Sequence, residues 1–209
     1  GQASHGGRRF NCCRDSCATT EADFVFGELE VDQKGIERAM TLPGFNAMSA
    51  ETALARLLGC CHSRAWATRL LAERPFKSVQ ALTELASEVW FSVNEPAWLE
   101  AFAAHPKIGD LDVLRDKYAV TASLEQGQVQ QASDATLHGL ADLNQLYECR
   151  FGFIFIVFAT GKSAEAMLAL LKQRLNNNRN LELETNALEQ NKITLLRLSR
   201  LFQVDKMGS

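Results

Sequence analysis

Apolar positions recur with a helical period along most of this 209-residue chain. Ser49 is placed to cap one such stretch through Leu58, and a second runs from about His62 to Glu73, before Pro75. Ser78 is placed to cap a third through about Phe91, with Leu82, Leu85, Val89 and Trp90 on one face. A fourth, from about Asn94 to Ala104, carries Trp98, Leu99 and Phe102. Residues 123–150 form a longer helical segment with candidate breaks at Ser133 and Gly139. Ser163 heads a helix with Ala164, Met167, Leu168, Leu171 and Leu175 at helical spacing. The last helix runs from about Leu181 to Phe202. There Leu181, Leu188, Leu195 and Phe202 recur every seven residues, a stripe that reads as core or helix packing.

One segment breaks the period. Phe153-Ile154-Phe155-Ile156-Val157-Phe158 is β-branched and aromatic and lies between Gly152 and Gly161. Its propensity is that of a buried strand. No second convincing strand exists to pair with it, so it is expected as an extended stretch near 153–158 inside an all-α, single-domain helix bundle. Unpaired extended backbone needs hydrogen-bond partners, and a polar ligand is one source of them.

The two ends differ from this body. Residues 1–27 read as a polar, glycine-rich tail, residues 28–205 as the folded domain, and residues 206–209 as a loose end or the start of a linker. Hydrophobic residues make up 46% of the chain and are spread along it, as in a globular protein. A net charge of -3 argues against nucleic acid as the main partner. The longest apolar run, Phe151 to Thr160, is too short to span a membrane, and no apolar signal-peptide core is visible. The six cysteines are Cys12, Cys13, Cys17, Cys60, Cys61 and Cys149. Two adjacent pairs and two singles make a poor disulfide framework, which points to a reducing intracellular compartment. Cys12, Cys13, Cys17 and His5 match no zinc spacing, so no metal is expected.

Candidate chemistry begins with His105, which precedes Pro106 at the end of an apolar helix. Proline disfavours helical backbone in the residue before it, so the helix is expected to stop at or just before His105. The imidazole then lies near the negative end of the helix dipole, which favours its protonated form and suits a proton donor. Ser123-Leu124-Glu125-Gln126 reads in two ways. It is a capping box, or it is a helix N-terminus that presents a carboxylate and an amide to a polar ligand. Gly161-Lys162-Ser163 resembles the end of a phosphate-binding loop. The glycine that loop needs five residues earlier is Ile156, which argues against nucleotide binding. Arg174, near a helix C-terminus, either caps carbonyls or clamps a planar carboxylate or ureido group. His62 and His138 read as ordinary helix residues, and nothing places a base beside Cys149.

Together these segments resemble the 2-oxo-4-hydroxy-4-carboxy-5-ureidoimidazoline (OHCU) decarboxylase family of urate degradation. The matching stretches are Trp98 to Gly109 with its His-Pro, Glu125-Gln126, Leu143 to Phe155, Lys172 to Asn177, and Leu181 to Leu198 with Glu189-Gln190-Asn191-Lys192-Ile193-Thr194. They occur in the family's order and span roughly residues 30–203. Phe151 to Ile156 followed by Ala159-Thr160-Gly161 looks most like the plant-type member, in which a transthyretin-like hydrolase domain follows the decarboxylase.

The resemblance implies an all-helical decarboxylase without metal or organic cofactor, acting as a homodimer. It implies His105 and Glu125 as catalytic residues. Gln126, Pro106, the backbone of Phe153, Ile154, Phe155, Ile156 and Val157, and Arg174 are the implied substrate contacts. The implied reaction converts OHCU to (S)-allantoin and carbon dioxide. The usual serine three residues before the glutamate is here Ala122. That departure keeps open a second reading, a helical interaction module that has lost catalysis. The family's location is often peroxisomal, with the cytosol as the alternative, although Met207-Gly208-Ser209 is no peroxisomal tripeptide.

Overall fold

The computed structural model describes residues 40–105 and 134–202. Among these residues the chain forms eight α-helices and no strand. They are α1 (Leu42–Ala47), α2 (Ala50–Cys60), α3 (Arg64–Ala72), α4 (Val79–Ser92), α5 (Glu95–Ala103), α6 (Asp134–Phe151), α7 (Ala164–Arg174) and α8 (Arg179–Leu201).

The expected caps set the helix starts. The hydroxyls of Ser49, Ser78 and Ser163 accept from the backbone N–H of Thr52, Ala81 and Ala166. Asn94 and Asn178 do the same for α5 and α8. The short α1, capped by Thr41, has no counterpart in the sequence expectations. Gly139 does not break α6, and Ser133 lies outside the described residues.

α8 packs on α4 and α2, α6 on α7, and α3 on α2, α4 and α5. Three indoles bind this core by directional bonds as well as area. Trp66 Nε1–H donates to the Ala86 carbonyl (2.9 Å), Trp90 to Ala187 (2.8 Å) and Trp98 to Trp90 (2.9 Å). Trp66 and Trp90 therefore bury their rings, and Trp98 half-buries its own, without orphaning an N–H.

The heptad stripe of the last helix is buried only at its far end, where Phe202 packs edge-on against Phe45. Leu181 is 49% exposed and Leu188 53% exposed. The positions turned inward are Glu182, Leu183, Asn186, Ala187, Gln190, Thr194 and Leu198. Four of these are polar and succeed one another at intervals of four residues, one helical turn apart. A polar face can be buried because its groups bond to one another and to the backbone beside it.

The segment after α6 is extended, as expected. Gly152, at φ +79°, ends α6 with its N–H on the Glu148 carbonyl, in a conformation that favours glycine. Gly161, at φ +73°, lies in the turn closed by Lys162 N–H and the Ala159 carbonyl. Between these points Phe153, Phe155 and Ile156 are buried.

Candidate active site

The buried polar face of α8 supplies partners that a neighbouring strand would otherwise give to the extended segment. Asn186 Oδ1 accepts from Ile156 N–H (3.0 Å), and Asn186 Nδ2 donates to the Ile154 carbonyl (2.9 Å). Arg174 Nη1 donates to the Ile156 carbonyl (2.8 Å). Glu189 Oε2 accepts from Phe158 N–H (2.7 Å). These groups belong to residues 154, 156 and 158, which share one edge of an extended chain. Among the described residues, no hydrogen bond reaches the main-chain groups of Phe155 or Val157, on the other edge.

Arg174 is embedded in this support. Its Nε donates to Glu182 Oε1 (2.6 Å) and its Nη2 to Asn186 Oδ1 (2.5 Å). Its guanidinium carbon lies 4.6 Å from the centre of the Phe155 ring. Glu182, fully buried, also accepts from Tyr147 O–H and from Asn177 Nδ2 (2.7 Å). Burial first, then the Glu182 hydrogen bond, raises the Tyr147 pKa, so its phenol keeps its proton. The arginine expected to cap carbonyls or clamp a ligand thus has Nε, Nη1 and Nη2 all bonded to protein.

His105 meets the same helix one turn further on. The last turn of α5 ends at Ala103, and His105 N–H bonds to the Phe102 carbonyl (3.1 Å), so the helix stops where proline requires. His105 Nε2 lies 2.6 Å from Gln190 Oε1, and Gln190 Nε2 donates to Thr194 Oγ1 (3.2 Å). Phe102, three residues before His105, packs against Phe153 with ring centres 6.0 Å apart. Gln190 stands four residues from Asn186, about 6 Å along the helix axis. One face of α8 therefore holds both the histidine and the extended backbone.

The charge state of His105 differs from the sequence expectation. Burial pushes its pKa down to about 4, aided by the Arg197 guanidinium and by His62, while the Gln190 hydrogen bond opposes the shift. A helix-end dipole on a partly exposed group is worth about 0.3–1 kcal/mol, less than the loss of solvation here. The free protein thus holds His105 neutral at pH 7. His62 lies in the connection between α2 and α3, not inside a helix, and its pKa is also lowered, chiefly by burial. Pro106, Ala122, Glu125 and Gln126 lie outside the described residues, as do Cys12, Cys13 and Cys17.

Lys162 turns back, its Nζ donating to the Phe158 carbonyl (2.7 Å), and Ser163 caps α7. His138 is exposed, with Nδ1 2.7 Å from the Asp134 carbonyl. Among the described residues no group of three or more His, Cys, Asp or Glu side chains is arranged to hold a metal ion, and no helix is long and apolar enough to cross a membrane. Gln190, Thr194, Asn186 and Glu182 were given no individual role by sequence reasoning. Their signal was a four-residue polar period within a stretch already matched to the family.

The family model described as OHCU decarboxylase matches residues 46–199. The chain is 40% identical over 147 residues to the "Uric acid degradation bifunctional protein TTL" of Arabidopsis thaliana, covering 68% of this chain and 45% of that one. It is 27% identical over 141 residues to the 2-oxo-4-hydroxy-4-carboxy-5-ureidoimidazoline decarboxylase of Haloferax volcanii, covering 68% of this chain and 83% of that one. It spans only 34% of the bifunctional relative from Bacillus sp. strain TB-90. A crystal structure of an OHCU decarboxylase in the presence of (S)-allantoin superposes with a TM-score of 0.60 at 36% identity, covering 74% of this chain and 99% of that one. Through its helical fold, and through a family match over most of its length, the chain belongs to the OHCU decarboxylase family.

Proposed function

We propose that this protein decarboxylates 2-oxo-4-hydroxy-4-carboxy-5-ureidoimidazoline to (S)-allantoin, with His105 as proton donor. The observation that carries the reading is the shared support of His105 and the 154–158 backbone by one polar face of α8. Such a face fixes a proton-transfer group beside a peptide edge suited to a urea-like ligand.

The substrate carries its carboxylate on a carbon next to a ring C=N bond. When the C–CO2 bond breaks, its electron pair enters that C=N system, so the substrate is its own electron sink. The protein has to orient the carboxylate, exclude water and deliver one proton to one face. A substrate carboxylate beside His105 favours the imidazolium and offsets the burial that keeps it neutral in the free protein. Glu125 orients or polarises the ring and hydroxyl. Pro106, Gln126 and the open edge at Phe155 and Val157 hold the urea-like groups. Arg174 serves the site by fixing the backbone of Ile156 and the carboxylate of Glu182.

The proposal extends to a homodimer, for which Leu181 and Leu188 offer an exposed apolar face on α8. It also extends to a peroxisomal location and a transthyretin-like hydrolase domain in the native protein. The word bifunctional in the plant and Bacillus relatives' names supports a second domain. Thermal unfolding with and without (S)-allantoin tests whether the site binds its product. Stabilisation that rises with ligand concentration is expected. No shift at saturating ligand would favour an interaction module without catalysis.

A further inference from the structure

We infer that the Gln190–Thr194 pair fixes the tautomer of His105, so that Nδ1 faces the substrate and delivers the proton. This rests on the proposed role of His105 as donor. The argument is one of hydrogen-bond direction. Thr194 Oγ1 accepts from Gln190 Nε2, which aims Gln190 Oε1 at the imidazole. Thr194 has its own proton to place, and the buried Cys61 sulfur lies within its hydrogen-bonding reach. With that proton directed to sulfur, the threonine oxygen is left to accept, and a reversed amide would set the Gln190 carbonyl oxygen against it, two acceptors face to face.

A carbonyl oxygen has no proton to give, so His105 Nε2 must carry one in every protonation state that keeps the 2.6 Å bond. The neutral ring then has its lone pair on Nδ1, which has no hydrogen-bond partner among the described residues. On protonation Nδ1 gains the second proton while Nε2–H stays on Gln190. The proton that comes and goes is the one on Nδ1. Gln190 is thus a positioning residue. It acts through His105, and its carbonyl partly offsets the burial, Arg197 and His62, which all oppose the imidazolium. Gln190 and Thr194 are themselves fully or almost fully buried, so solvent does not compete for these bonds.

The test uses the full chain labelled with 15N-histidine, with His105 assigned by comparison with His105→Asn. In the wild type at pH 7, Nε2 is expected to resonate as a protonated, pyrrole-like nitrogen and Nδ1 as a pyridine-like one. The reverse pattern would overturn the inference whether or not the protein turns over OHCU. Gln190→Glu keeps the shape and places a carboxylate on Nε2–H. It is expected to raise the His105 midpoint by about one unit or more, in the NMR titration and in the pH profile of kcat alike. Gln190→Leu is expected to lower kcat about ten- to a hundredfold with KM changed far less, and Thr194→Ser to keep the wild-type tautomer and rate. An unmoved midpoint in Gln190→Glu would contradict the assignment. Absence of OHCU turnover in wild type with the expected tautomer would reject the decarboxylase reading alone.

Discussion

Asn186 holds Ile156 as a strand partner would, accepting from its N–H at 3.0 Å while the same amide donates to the Ile154 carbonyl at 2.9 Å. One side chain thus satisfies two buried main-chain groups of a segment with no sheet to join. Replacing it with leucine keeps the volume and removes both bonds. Each buried group left unsatisfied costs about 1–3 kcal/mol. Asn186→Leu is therefore expected to lower unfolding free energy by at least that of one group in urea denaturation. The Ile156 amide should also exchange with solvent much faster, and unchanged exchange there would refute the role.

The Arg174–Glu182 pair makes a sharper stability prediction. Glu182 is fully buried and Arg174 nearly so, with nitrogen and oxygen 2.5 Å apart. Removing one partner strands the other charge at low dielectric, a loss of about 3–5 kcal/mol. Glu182→Ala should lose about that much in chemical denaturation. A surface pair gives the contrast. Arg179 and Glu95 lie 2.6 Å apart but are nearly half exposed and screened by solvent, and Glu95→Ala should leave the denaturation midpoint almost unmoved.

These two cases show what the amino-acid pattern reveals and what it hides. Helix starts were legible because Ser49, Ser78, Asn94 and Ser163 satisfy backbone N–H groups locally, a property of each residue and its neighbours. The extended segment was legible from its β-branched and aromatic run between glycines. The buried face of α8 was not. Hydrophobicity alone selects Leu181 and Leu188, whereas burial of Glu182, Asn186 and Gln190 depends on Arg174, the Ile154 carbonyl and His105, which lie 8, 32 and 85 residues away in the chain. The charge of His105 was misread for a related reason. The helix-end dipole is local, but the burial and the Arg197 charge that outweigh it arise from tertiary packing.

Depression of the His105 pKa makes stability depend on pH. The unfolded chain takes up a proton below about 6.5, while the folded chain refuses it until about 4. This contribution is complete above pH 6.5 and is lost as pH falls toward 4. In His105→Asn the unfolding free energy should fall less steeply between pH 6.5 and 4 than in wild type. Parallel profiles from denaturant melts would contradict a buried, neutral imidazole.

Thiol reactivity offers an independent check on packing. Burial pushes Cys60 up to about 12 and Cys61 up to about 11, so both are protonated and covered at pH 8. Cys149 is exposed. In a variant with Cys12, Cys13 and Cys17 changed to serine, a thiol reagent should modify Cys149 in the native protein. Cys60 and Cys61 should react only after unfolding. Rapid native labelling at Cys60 or Cys61 would show that the α2 end is not packed as described.

The central claim is that His105, held by the polar face of α8, protonates the product of a decarboxylation on one face. Freshly generated OHCU, followed by its absorbance and by circular dichroism of the allantoin formed, measures rate and handedness together. Wild type should remove OHCU well above the spontaneous rate and yield (S)-allantoin, and His105→Asn should fall towards the spontaneous rate and a racemic product. Racemic allantoin at the uncatalysed rate from folded wild-type protein, or full stereospecific turnover by His105→Asn, would contradict the account.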